Sequence, residues 1–444
     1  MATAKVGLLF IALLALSMLA LTACAMSPNE AVTYVSKTNN FLLDTESAAI
    51  VAPQVMISYS GKDYWVVSGL IDSNPSIYVP VSNSTQTVAS GAIEARELIK
   101  TEIVLTRINA QRSSFPVGDW PFSYATKTMF YDLESKFGDM SPMVTSVATD
   151  LTGASGTNAK ALASTATNLA TEIGQFATLC KSLGDDVETA RLFEEKFLTD
   201  PDTNKTNKLE SYYTSYFDSV DSFISTYNDL TSSVTSLRKS IAELSTTELD
   251  STKRNSMLSS LTMPSSAAKI PSFSSNTQQI RTIIEGIFNA SNGVEPLVAN
   301  LNTRILRNVA WNTLYGTDAK ITAANPSFNS LSDAADGILS TDNVGLWKEQ
   351  ATVDELKINW QQAKSRYTSG EYEKASSFAK KAETNAIAIL EGGAKDTTSG
   401  ISQDLVVQII VGLVVLIAVM FLFDKMYWQK RKAKGNEEED YEQN

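Results

Sequence analysis

Between Leu162 and Leu244 the apolar residues fall into two series whose spacing alternates between four and three positions. The first runs Leu162, Ala166, Leu169, Ile173, Phe176, Cys180, Leu183, Val187, Ala190, with Phe193 and Phe197 extending it. The second runs Leu209, Tyr213, Tyr216, Val220, Phe223, Tyr227, Leu230, Val234, Leu237, Ile241, Leu244. A mean step near 3.5 places every one of these residues on one face of a helix. Each series predicts a helix about 55 Å long, at about 1.5 Å per residue. Only Thr199 to Lys208 separates them, so the two must fold back as an antiparallel coiled-coil hairpin over 158–245. Cys180 lies on the seam and reads as a small core residue. Tyr212 and Phe217 fall beside the second seam and mark a surface that receives another helix, of this chain or of a partner.

Two apolar ends bracket this polar body. Near the C-terminus, residues 405–423 contain one polar side chain, Gln408, and match the length of about 20 residues that a spanning helix needs. The flank holds Tyr427, Trp428, Lys430, Arg431 and Lys432, which suits an interfacial aromatic belt and a cytoplasmic basic cluster. An acidic run, Glu437 to Glu442, ends the tail. At the N-terminus, Lys5 precedes an apolar run over 6–20, as in a secretory signal. Three processing routes stay open: cleavage after the small residues around Ala23-Cys24-Ala25, lipidation of Cys24, or retention as an anchor. Leu21-Thr22-Ala23-Cys24 resembles the lipobox of prokaryotic lipoproteins. All three routes deliver 26–404 outside, as an extracellular or periplasmic body of a type I membrane protein.

Composition narrows the chemistry. The chain has no histidine, two cysteines (Cys24 and Cys180) and a formal net charge of -12. Ser-His-Asp and Cys-His catalysis are therefore excluded, as are imidazole zinc sites. Such a charge opposes nucleic-acid binding. Two cysteines, one in the leader, cannot make a disulfide-stapled domain. No cofactor or metal site is expected. Three N-glycosylation acceptors occur, at Asn83, Asn204 and Asn289.

The rest of the chain divides by pattern. Residues 26–120 predict a small α+β domain: a helix over 28–48, strands at 54–59, 64–68 and 77–81, then a helix over 84–112. Ser60 to Asp63 is turn chemistry, and Pro80 favours an edge strand. A helical connector (121–157) leads to the hairpin. A Ser/Pro-containing linker (246–275) precedes a helical region (276–352), with a break at Gly293 and Pro296. An αα-hairpin over 353–392 and a stalk over 393–404 complete the body, before the membrane helix at 405–423 and the tail at 424–444. The expected fold is thus mainly α: an extended antiparallel coiled-coil or helical-bundle ectodomain, a small N-terminal helix–β-meander–helix domain, and one C-terminal transmembrane helix.

Four short motifs carry little chemistry. Gly370, Tyr372, Ala375 and Ala382, with Trp360 before them, resemble a tetratricopeptide-type hairpin over about 35 residues. Phe378 falls one place early and no second copy exists. Such arrays bury a core only by stacking about three repeats, so an ordinary αα-hairpin is expected and the family's peptide-binding role does not transfer. Asp200, Asp202 and Asn204 resemble the start of a calcium loop, but Lys205 stands where glycine is needed and Ser211 where the closing carboxylate belongs. A solvated loop with a helix-capping aspartate is expected there. Ser236-Leu237-Arg238-Lys239 resembles the nucleophile motif of penicillin-interactive enzymes, without its K-T-G companion and inside a seam helix. The acid pairs Asp185-Asp186 and Glu194-Glu195 read as solvated faces.

The expected function is a non-enzymatic, single-pass cell-surface protein, structural or adhesive, with the lipid bilayer and other surface proteins or its own copies as partners. The alternative is a sensory or transport-accessory protein that binds an extracellular ligand and couples to a membrane or cytoplasmic partner. A carboxylate-dependent glycan-active enzyme is the least supported class.

Overall fold

The structure is a computed structural model and describes residues 26–37, 41, 50–71, 74–116, 118–340 and 345–394. Cys24 and the whole leader, the segment 405–423 and the tail lie outside the described residues. Among the described residues, no helix is long and apolar enough to cross a membrane. The fold is mainly helical, with a small strand region near the N-terminus. It divides into two units, Met1–Asn308 and Val309–Asn444.

The first unit opens with helix α1 (Pro28–Lys37) and four strands: β1 (Ile50–Val51), β2 (Ile57–Tyr59), β3 (Lys62–Ile71) and β4 (Asn74–Ser82). All pairings are antiparallel. β4 lies along one edge of β3, while β1 and β2 share the other, pairing Ile50 with Gly69 and Ile57 with Tyr64. The expected turn between β2 and β3 is present. Ser60 and Gly61 both adopt left-handed φ, 50° and 76°, the geometry a two-residue hairpin requires and glycine tolerates. β4 pairs with no named strand other than β3, so Pro80 sits on an edge strand as expected.

The register puts Tyr64, Val66 and Ser68 opposite Ser82, Pro80 and Tyr78, on one face of the sheet. Helix α2 (Ala92–Ser114) covers that face, and the Tyr64 hydroxyl donates to Glu94 at the helix start. On the opposite face, the Trp65 indole donates to the Met26 carbonyl at 2.6 Å. α2 starts at residue 92 rather than 84 because 82–87 form a polar turn. Thr85 N donates to Ser82 Oγ, and Gln86 is left-handed at φ 53°. Local side-chain bonds of this kind compete with helix formation.

Four long helices follow the strand region. They are α3 (Tyr124–Thr152), α5 (Ala163–Thr199), α6 (Thr203–Glu243) and α8 (Ile270–Asn292), with the short α4 (Thr157–Ala161) joining the first two. Contacts run antiparallel along α3 and α5, from Tyr131–Asp185 to Ser141–Ala170. They also run antiparallel along α6 and α8, from Tyr213–Phe288 to Phe223–Phe273. The two predicted seams are the hairpin α5–α6, and they are buried almost throughout. They do not close on each other alone. Phe176 on α5 meets Phe137 of α3 (4.7 Å) and Phe223 of α6 (5.2 Å), and Phe130 of α3 meets Phe273 of α8 (5.5 Å). The seams therefore belong to a bundle of four helices rather than to a two-stranded coil. Phe217 is covered by α8 of the same chain, with the Arg281 guanidinium 5.1 Å above its ring, and Tyr212 packs on Phe193.

The segment 246–275 is structured rather than a linker. Asp250 caps helix α7 (Ser251–Ser260) by accepting from Thr252 N and Lys253 N, and a 3-10 turn spans Ser265–Lys269. Met257, Leu261 and Ala267 are buried against the bundle. The expected break at Gly293 is observed: α8 ends at Asn292 and α9 (Glu295–Tyr315) begins two residues after Gly293. Val294, Val298 and Leu301 join the core of the strand region.

In the second unit the predicted hairpin is α12 (Gln350–Thr368) and α13 (Tyr372–Gly392), turning at Gly370 with φ 78°. The region expected to be loose contributes α10 (Ala319–Ala324) and α11 (Leu331–Ile338). Both pack on α13, whose stripe Ala375, Ala379, Ala382, Ala386 is fully buried. The small alanines let these helices approach closely. Trp360 is fixed by its indole donating to Asp336 at 2.9 Å.

Candidate functional site: two buried carboxyl groups

Glu194, expected on a solvated face, has no exposed surface. It lies on α5, next to Trp120 of the loop that precedes α3. Trp120 Nε1 donates to both carboxylate oxygens, at 2.9 and 3.2 Å, and the Tyr213 hydroxyl donates to Oε1. Arg112 from the end of α2 approaches Oε2 at 3.6 Å and bridges to Glu195 at 3.8 Å. Burial pushes the Glu194 carboxyl above its ordinary value, and the two hydrogen bonds and Arg112 pull it back. Burial beside this carboxylate also raises the Tyr213 hydroxyl far above its own range, so it remains a donor. A carboxylate with every donor supplied by the protein is a structural joint between α2, α5 and α6. Its neighbour Glu195 reaches solvent and pairs with Arg191 at 2.7 Å. Asp185 and Asp186 are exposed, as expected.

Glu102 differs. It is 4% exposed, in the middle of α2, and no hydrogen bond or ion pair reaches its carboxyl among the described residues. Its burial follows from the position of α2. The helix is packed by the sheet on one side and by α6 and α8 on others, so Leu98, Ile99, Ile103, Val104 and Ile108 are buried around most of its circumference. Burial pushes the Glu102 carboxyl up to about 8. Across from it on β4, Tyr78 is raised to about 12, by burial first and in part by the Glu102 charge. Glu102 lines a cleft of about 280 Å³, together with Val51, Gln54, Ser68, Leu105 and Asn109 among others. Leu105 and Glu102 form its buried floor, and Thr106, Asn109 and Ala110 its exposed rim. The signal in the sequence was an acid directly before the apolar triplet Ile103-Val104-Leu105, on a helix apolar around most of its faces. The arrangement can hold one cationic or hydrogen-bond-donating group against a carboxyl that has no other partner.

The remaining candidate residues lie apart from both carboxyls. Asn83 is half-buried, and its Oδ1 accepts from Met26 N at 2.8 Å. Asn204 is exposed in the first turn of α6, while Thr206 of its acceptor motif is buried and shares a 2.8 Å hydroxyl contact with Thr101. Asn289 is exposed on α8, with Ser291 of its motif buried. Cys180 is fully buried in the seam, and burial raises its thiol to about 12, which makes it unreactive.

The calcium-like tip is not a free solvated loop. Ser58 N of β2 donates to the Pro201 carbonyl at 3.0 Å, and Asp202 pairs with Ser58 as a parallel bridge. Asp202 caps α6, as expected, and Asp200 binds Lys205 at 2.7 Å. Among the described residues, no cluster of acids or cysteines could hold a metal ion. Within the Ser236–Lys239 motif, Arg238 serves packing: its guanidinium donates to the Leu258 carbonyl at 2.6 Å. Comparison of the chain with protein-family models, with curated proteins and with solved structures finds no match.

Proposed function

We infer that this protein is a non-enzymatic, single-pass cell-surface scaffold whose helical body mediates interactions. The observation that carries the reading is the stitching of the bundle to the strand region. Ser58 to Pro201, Thr101 to Thr206 and Arg112 to Glu194 link elements far apart in sequence, and a body cross-tied in this way resists bending. Exposed apolar side chains such as Ile93, Tyr124 and Leu192 supply contact points for other surface proteins or for further copies of the chain. The apolar segment 405–423 and its basic flank support a membrane anchor with a short cytoplasmic tail, and the leader supports export. The three acceptor motifs fit a glycoprotein.

The test is labelling of intact cells with a membrane-impermeant amine reagent, followed by alkaline carbonate extraction. Lysines of the body are expected to label, and the protein to stay with the membrane pellet. An unlabelled body, or release by carbonate, overturns the reading. A sensory or transport-accessory role is the second reading, favoured by the Glu102 cleft. Deletion of 425–444 separates the two: loss of a cytoplasmic partner supports sensing, and an inert deletion supports the anchored scaffold.

A further inference from the structure

We propose that the cleft floored by Glu102 is a binding site for a small organic cation, an amine or methylated ammonium, held by an ion pair to the Glu102 carboxylate. Three observations converge on this ligand. First, among the described residues Glu102 is the one ionisable side chain lining the cleft, and it is 4% exposed with no partner among them. A buried acid in that state is costly to the fold unless something completes it. Second, the other polar lining groups, including Gln54, Ser68 and Asn109, are neutral. A single carboxylate among neutral groups matches a monovalent cation. A divalent metal would require six or more oxygens, and an anion would be repelled. Third, a volume of about 280 Å³ is at the small end of ligand pockets, which suits an ammonium carrying a few carbons.

Binding is linked to protons. With the cleft empty, the carboxyl holds its proton up to about pH 8. Seating an ammonium ion displaces that proton to solvent, so affinity rises with pH until the free carboxyl ionises unaided. The other titratable groups around α2 do not supply this linkage near neutrality. Burial raises Tyr78 on β4 to about 12, and the Arg107 charge acts on it in the opposite sense. The ion pairs of α2 with its neighbours use other positions: Lys100 with Glu210 on α6, Arg112 with Glu194 on α5, and Arg96 with Glu295 on α9. Tyr64 on β3 meets Glu94 at the helix start. On α8, Arg281 turns away to Asp221 on α6.

The experiment is calorimetric titration of the full chain, in detergent and phosphate buffer, with ethanolammonium, n-butylammonium and choline. Ethylene glycol is the neutral control. At least one cation is expected to bind saturably where the glycol does not. Its affinity should rise about tenfold per pH unit between about pH 6 and pH 8, with release of about one proton. Glu102→Gln is expected to weaken binding threefold or more and to flatten the pH dependence. Ala110→Trp, on the exposed rim, should block binding with the carboxyl intact and the fold undisturbed. Absence of saturable binding by all three cations overturns the proposal. So does binding that Glu102→Gln weakens less than threefold, or that survives Ala110→Trp. These outcomes are independent of where the body is displayed, so they can fail while the scaffold reading stands.

Discussion

Glu194 and Glu102 sit on packed helices of the same unit, and both are withdrawn from water. Their surroundings diverge. Around Glu194, an indole, a phenol and a guanidinium converge from three other segments. Around Glu102 there is apolar packing on one side and a cleft on the other. Burial itself is therefore a poor guide to purpose. The number of donors the protein supplies is the informative quantity, because an acid that is fully satisfied holds the fold together and one that is not weakens it.

That contrast can be attacked by substitution. The largest effect is expected from Glu194→Ala, which strands Trp120 Nε1, the Tyr213 hydroxyl and Arg112. A loss of about 3–5 kcal/mol in denaturant unfolding follows from removing one member of a buried charge network. A loss below about 1 kcal/mol would show the joint to be ornamental.

Glu102→Met should act in the opposite direction. The folded carboxyl keeps its proton up to about pH 8, whereas the ordinary value is 4.5. Between those values the folded state binds the extra proton, so wild-type stability falls as pH rises through that window. At about 1.4 kcal/mol per pH unit, Glu102→Met is expected to gain about 2–4 kcal/mol at pH 8. It should gain little at pH 5, and its unfolding free energy should be flatter across the window. A destabilising Glu102→Met at pH 8 would mean that the carboxyl has found a partner.

Trp120→Phe removes one donor to Glu194 and keeps most of the ring. A loss of about 1–2 kcal/mol is expected, and a neutral outcome would shift the weight of the joint to Tyr213 and Arg112. The smallest effect concerns the buried hydroxyl pair Thr101–Thr206. Either single valine substitution should cost about 1 kcal/mol, whereas the double substitution should recover most of the loss, since no polar atom is then left alone.

The helices were legible because their pattern is redundant. Each seam repeats the same apolar step over many turns, and the break at Gly293 and the turn at Gly370 carry glycines where the backbone needs them. Partners were harder to read. Nothing in the two seams specifies that α3 and α8 complete a bundle, because helix pairing is set by side-chain volume in three dimensions. The polar stretch 246–275 read as a linker since Met257, Leu261 and Ala267 are sparse among serines, yet three buried anchors suffice to dock it. The two carboxyls differ in how far the sequence reveals them. Glu194 has Glu195 beside it and follows a charged helix face, so local charge masked its inward direction. Glu102 could have been found, as an acid directly before Ile103-Val104-Leu105 on a helix whose apolar residues cover most of its circumference. The donors to Glu194 come from residues 112, 120 and 213, separations that no local pattern encodes.

The docking of Pro201 onto Ser58 also protects the protein from itself. A three-residue β2 left bare would offer its amides to any passing chain, the usual seed of edge-to-edge sheet growth. Capping by the helical tip fills that position, and Pro80 withholds a donor on β4. Two borders of the meander are thus blunted by different means, which leaves neither free to extend into a larger sheet.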